Sequence, residues 1–185
     1  MATITLILMQ KLRHEQIARP SPSEVQKLPR HPITVVLDNV RSLYNVGAVF
    51  RTSDAALVER VILTGITATP SNRGMHKTAL GAQDTVPWDY AQDGVTAIRS
   101  LIGCGYTVAA LELTDTPTAT TALPRTAFPL CLIVGNELGG VSEDLLVLAE
   151  YALEIPQYGA KQSLNVAVAY GIAIYDIVRI WRSLA

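Results

Sequence analysis

Short, fully apolar runs recur along the chain, and most are followed by a segment whose apolar residues fall at helical spacing. Thr34–Leu37 is a β-branched-rich apolar run, which predicts a central strand buried on both faces. Asn45–Leu57 then reads as a helix and Arg60–Leu63 as a strand. Asp93–Ile102 reads as a helix stopped by Gly103 and Gly105, and Tyr106–Leu111 as the next strand. Pro129–Val134 is a further strand, and Ser142 caps a helix over Glu143–Ala149 whose first turn is acidic. Ala152–Ile155 is a last short strand before one long helix, Ser163–Ser183. Gly65–Gly81 and the threonine-rich Thr114–Thr121 read as irregular. Apolar strands alternating with helices predict an α/β fold, a mostly parallel sheet with helices on both faces.

Residues 1–32 read as an N-terminal appendage and residues 33–185 as the main domain. Within the appendage, Ser21-Pro22-Ser23-Glu24 has the form of a capping box, so a short helix follows, closed by Pro29 and Pro32. The run Thr3–Met9 lacks both a basic lead and a small-residue cleavage site, which speaks against a signal peptide. Because residues 2–8 carry no charge while Met9-Gln10-Lys11-Leu12-Arg13 opens amphipathically, translation is expected from Met9. Val166–Tyr175 is too short to span a bilayer, and the expected location is the cytoplasm.

Composition narrows the picture only a little. A chain of 185 residues, 49% hydrophobic and 17% charged, fits one folded domain. Its net charge of −1 gives no overall signature of nucleic-acid binding, although Lys11, Arg13, Arg19, Lys27 and Arg30 face only Glu15 and Glu24 within residues 1–31. Cys104 and Cys131 lie far apart, and His14, His31 and His76 have no neighbouring ligand, so no metal site is expected.

Chemistry is expected at the carboxyl ends of the strands, where ligands of open α/β sheets gather. Three such ends carry polar residues that a core does not need. They are Asp38-Asn39-Val40-Arg41 with Asn45-Val46-Gly47-Ala48-Val49-Phe50-Arg51-Thr52, then Gly135-Asn136-Glu137-Leu138-Gly139-Gly140, then Ile155-Pro156 with Ser163-Leu164-Asn165-Val166. Each also has a plain structural reading. Asn45 can be a helix cap, Arg51 can pair with Asp54 one turn on, and Ser163 and Asn165 can cap the last helix. Gly47, Ala48 and Ala55 form a small-residue stripe beside Arg51 that admits a second backbone or a ligand.

Taken together and in this order, the three segments resemble the motifs of SpoU (TrmH-like) methyltransferases of the SPOUT superfamily, over roughly residues 33–180. The intervening Gly65–Pro70 and His76–Ala82 also look like that family's usual segment. Two departures stand out: Ala167 where many relatives have serine, and Leu138 where a small residue is frequent. The resemblance implies a deep C-terminal trefoil knot and pairing through the last helix; that helix is itself apolar around nearly its whole circumference, so a homodimer that covers one face is expected, with Asp176 and Arg179 at its rim. It also implies S-adenosylmethionine-dependent methyl transfer to a ribose 2′-hydroxyl of tRNA or rRNA. By motif match, Gly135, Ile155 and Leu164 line the cofactor pocket. Arg51 acts at the reacting hydroxyl, oriented with the ribose by Asn45, Glu137, Ser163 and Asn165. The alternatives are a non-catalytic RNA-binding or assembly factor that retains the fold, and an unrelated nucleotide-binding domain.

Overall fold

The computed structural model of the protein describes residues 9–183. The expected start at Met9 turns on residues 1–8, which lie outside the described residues. Seven strands form one sheet: β1 (His31–Asp38), β2 (Val58–Thr64), β3 (Trp88–Ala91), β4 (Thr107–Leu111), β5 (Thr118–Ala119), β6 (Leu130–Val134) and β7 (Tyr151–Glu154). Their order is β3-β2-β1-β6-β4-β7-β5, and every neighbouring pair is parallel. Parallel neighbours need crossover connections, supplied chiefly by α2 (Leu43–Ala55), α4 (Gly94–Gly103) and α5 (Glu143–Leu146), with α6 (Val166–Arg182) following the last strand.

β1 lies inside the sheet, with Val35 opposite Val61 of β2 and Leu132 of β6. Its alternate residues serve two cores. Ile33, Val35 and Leu37 pack with Val46, Val49 and Phe50 of α2 and with Tyr170, Ile174 and Ile177 of α6. Val36 packs on the other face with Ile98 of α4 and Leu145 of α5. Both faces are therefore covered, which is why β1 reads as an unbroken apolar run, and each such side chain contributes about 1.5–3 kcal/mol by burial. A buried hydrogen bond of 2.7 Å between the Ser53 and Tyr170 hydroxyls ties α2 to α6.

Several boundaries differ from the expected ones. α2 starts at Leu43 because Ser42 is its cap, the Asn45 N–H donating to the Ser42 hydroxyl at 3.4 Å, so Asn45 is not the cap. α6 starts at Val166 with Asn165 as its cap, leaving Ser163 outside. α5 ends at Leu146 rather than Ala149. The Gly65–Gly81 stretch contains the short helix α3 (His76–Ala79), and the threonine-rich loop contains β5. β3 was not expected: it is a four-residue edge strand, mostly exposed, with no apolar run to announce it. In the appendage α1 (Pro22–Val25) forms as the capping box predicts, with the Ser21 N–H donating to the Glu24 carboxylate at 2.7 Å. Among the described residues no helix is long and apolar enough to cross a membrane.

Candidate active site

The carboxyl ends of β4, β6 and β7 surround a cavity of about 420 Å³, closed on a third side by the chain leading into α6. Gly135, Ile155 and Leu164, expected from the motifs at a cofactor pocket, all line it, as do Glu137, Ser163 and Asn165. Asn45 and Arg51 are not lining residues.

The loop after β6 is built by close backbone approach. A Cβ on Gly135 would fall 2.1 Å from the Gly140 carbonyl carbon, so only glycine fits there. Asn136 and Gly140 exchange two backbone hydrogen bonds, at 2.8 and 3.0 Å. The Asn136 side chain accepts from the N–H groups of Leu138 and Gly139 and donates to the Asn39 carbonyl at 2.7 Å. Two carboxylates fasten the far end of the loop. Glu112 accepts from the N–H of Val141, and Asp38 from the N–H of Ser142, both at 2.8 Å. Asn136, Glu112 and Asp38 were not assigned from sequence. The available signal was an acid closing or directly following an apolar strand, at Asp38 and Glu112.

Glu137 points the other way and gathers the first motif. Its carboxylate accepts from the N–H groups of Arg41 and Ser42, each at 3.0 Å, and from the Asn45 amide at 2.8 Å. Partial burial pushes its pKa up, but these donors, led by the Arg41 N–H, outweigh that and hold the carboxyl below its ordinary value. The Asn45 carbonyl oxygen in turn accepts from the Asn165 amide at 3.1 Å. Asn165 completes the chain by accepting from the N–H groups of Ala167 and Val168 at the start of α6. One hydrogen-bonded line thus runs through all three motifs. Ser163 stands beside it on the cavity wall, with no side-chain hydrogen bond among the described residues.

Arg51 is exposed on α2 and makes no hydrogen bond or ion pair among the described residues. Its expected structural partner is engaged elsewhere: Asp54 accepts a hydrogen bond from the Thr85 hydroxyl at 2.6 Å. The small-residue stripe beside it serves a second backbone. A Cβ on Gly47 already lacks room for more, lying 2.6 Å from the Met75 carbonyl oxygen where α3 crosses α2.

The cavity is large enough for a nucleoside-sized ligand. Leu111, Ile155 and Leu164 offer aliphatic surface to an aromatic ring, and the Gly135–Gly140 turn brings main-chain groups to the same wall. This donor set fits an adenosyl cofactor. No three metal-ligating side chains come together among the described residues.

The model of the SpoU rRNA methylase family matches residues 32–175. A 23S rRNA (guanosine-2′-O-)-methyltransferase of Nitrosomonas europaea is 30% identical over 84% of this chain and 59% of its own length. The tRNA (guanosine(18)-2′-O)-methyltransferase of Thermus thermophilus is 32% identical over 84% of this chain and 79% of its own. The AdoMet-bound rRNA methyltransferase of Sinorhizobium meliloti superposes with a TM-score of 0.76 and 30% identity, over 90% of this chain and 62% of that one. The chain therefore spans about three fifths of the length of some relatives it matches. The match covers all three motifs and the whole sheet, and the chain belongs to the SpoU rRNA methylase family.

Proposed function

We propose that the protein transfers a methyl group from S-adenosylmethionine to a ribose 2′-hydroxyl of a tRNA or rRNA. The observation that carries this reading is the hydrogen-bonded line Glu137–Asn45–Asn165, which joins the cavity wall to the helix bearing Arg51. Bound S-adenosylmethionine supplies an already activated methyl group, so the protein's task is to hold the ribose oxygen in line and manage its proton. Gly135, Ile155 and Leu164 hold the cofactor by shape and main-chain contact. A guanidinium stays protonated at neutral pH, so Arg51 anchors a phosphate and stabilises the forming alkoxide rather than serving as the base. Glu137, Asn45 and Asn165 fix the approach of α2, and Ser163 offers its hydroxyl at the cavity wall.

The segments around Gly135–Ser142 and Ile155–Asn165 are taken to cross as a trefoil knot, supported by their meeting in one cavity with the end of β4. A homodimer through α6 follows from the apolar face that this chain leaves uncovered, where Leu164, Val168, Ile172 and Tyr175 stay 39–52% exposed. A second copy of the chain is the partner that this reading assigns to the face. Arg179 is on its exposed side, and Asp176 is held by Thr120 and Arg179. No observation favours the non-catalytic alternative.

Mapping ribose methylation in tRNA and rRNA from cells lacking the gene tests the function. One lost methylation, restored by purified protein with S-adenosylmethionine, is the expected result. Failure to bind S-adenosylmethionine in a calorimetric titration refutes it. A monomeric mass in light scattering refutes the dimer.

A further inference from the structure

The chain's charge balance hides a local imbalance beside the cavity. Residues 39–81 hold Arg41, Arg51, Arg60, Arg73 and Lys77 against only Asp54 and Glu59. Arg60 is engaged by Glu59 and Asp89, and Asp54 is held by Thr85. Arg41, Arg51, Arg73 and Lys77 are all exposed and carry no ion pair among the described residues.

Packing places these four along one path. Arg41 sits beside the cavity rim, where its backbone N–H donates to Glu137. Two residues on, Leu43 meets the backbone at Gly74, the neighbour of Arg73. One turn further along α2, Gly47 meets Met75 and Thr78, which flank Lys77 on α3. Arg51 follows one turn after Gly47, on the adjoining side of the same helix. The buried residues of this segment, Met75 and Ala79, face α2, which turns Arg73 and Lys77 to solvent. Four cations without ion pairs among the described residues, in file from the mouth of the cavity, present a track for a polyanion.

We infer that Arg41, Arg73 and Lys77 form a rail that binds the phosphodiester backbone of the RNA on the approach to Arg51. The inference rests on the methyl-transfer reading above and adds the surface that aligns the substrate. Phosphate contacts of this kind position an RNA without reading its sequence.

The test measures binding of a short fluorescein-labelled single-stranded RNA by anisotropy over a range of salt concentrations. The wild type is compared with Arg73→Ala/Lys77→Ala, with the charge-keeping Arg73→Lys/Lys77→Arg, and with Arg99→Ala/Arg125→Ala on other surfaces. Each single-strand phosphate contact adds about 0.7 to the slope of log affinity against log salt, so the alanine pair lowers that slope by about 1.4. At 0.15 M salt the same counterion count corresponds to about tenfold weaker binding. The charge-keeping pair and the control pair match wild type, and all variants keep wild-type melting and S-adenosylmethionine binding. Wild-type affinity and slope in the alanine pair overturn the rail while leaving the proposed function standing. Absence of RNA binding by the wild type overturns both.

Discussion

Replacing Arg51 separates its two roles most cleanly, because the structure assigns it no intramolecular partner. An exposed side chain without hydrogen bonds or ion pairs contributes within about 0.5 kcal/mol to stability. For a domain of this size that is a change of at most about 2 °C in melting temperature. Cofactor affinity is also unchanged, since Arg51 does not line the cavity. Catalysis is another matter. Loss of one preorganised donor to developing negative charge lowers turnover by about 10²–10³. Arg51→Ala is therefore expected to fold, melt and bind S-adenosylmethionine as wild type, yet fail in single-turnover methylation of the mapped RNA. Arg51→Lys does not restore the rate, because lysine keeps the charge but loses the planar fork. Near-wild-type turnover in Arg51→Ala refutes the assignment and leaves Arg51 a solvated surface residue.

Three further outcomes follow from the packing. Gly135→Ala drives a Cβ into the Gly140 backbone and is expected to lower melting temperature and abolish cofactor binding, whereas Gly139→Ala, with no protein atom near its Cβ, keeps the wild-type melting temperature; equal melting of the two contradicts the tight turn. Tyr170→Phe strands the buried Ser53 hydroxyl and costs about 1–3 kcal/mol in urea denaturation, while adding Ser53→Ala recovers part of it; simple additivity of the two changes argues against the bond. Because the folded-state pKa of Glu137 is depressed, its stabilisation is complete above the unfolded-state value of about 4.3 and is lost as pH falls through the folded value. The melting-temperature gap between wild type and Glu137→Gln should thus hold at neutral pH and close in acid, and a gap independent of pH would falsify the carboxylate's role.

The strands and long helices were legible because their burial leaves a periodic mark. β1 is apolar at most of its buried positions, Ile33, Val35, Val36 and Leu37, since both its faces are covered, and α6 shows its core residues at helical spacing. β3 left no such mark, because an exposed edge strand needs backbone pairing but no apolar run. The three motifs were readable as short local patterns, and their glycines and amides carry that information in residue type alone. How they meet was not readable. Hydrogen bonds between Glu137 and Asn45, and between Asn45 and Asn165, span 92 and 120 residues, and no local pattern encodes a contact at that range. The same holds for Glu112 and Asp38, ordinary acids in the chain that become fasteners only when the sheet sets β1 and β4 on either side of β6. The sequence by itself determined the α/β alternation, the buried strands and the residue types at the site. Only the tertiary structure decided which of those residues touch, because the parallel strand order brings distant strand ends to one edge of the sheet.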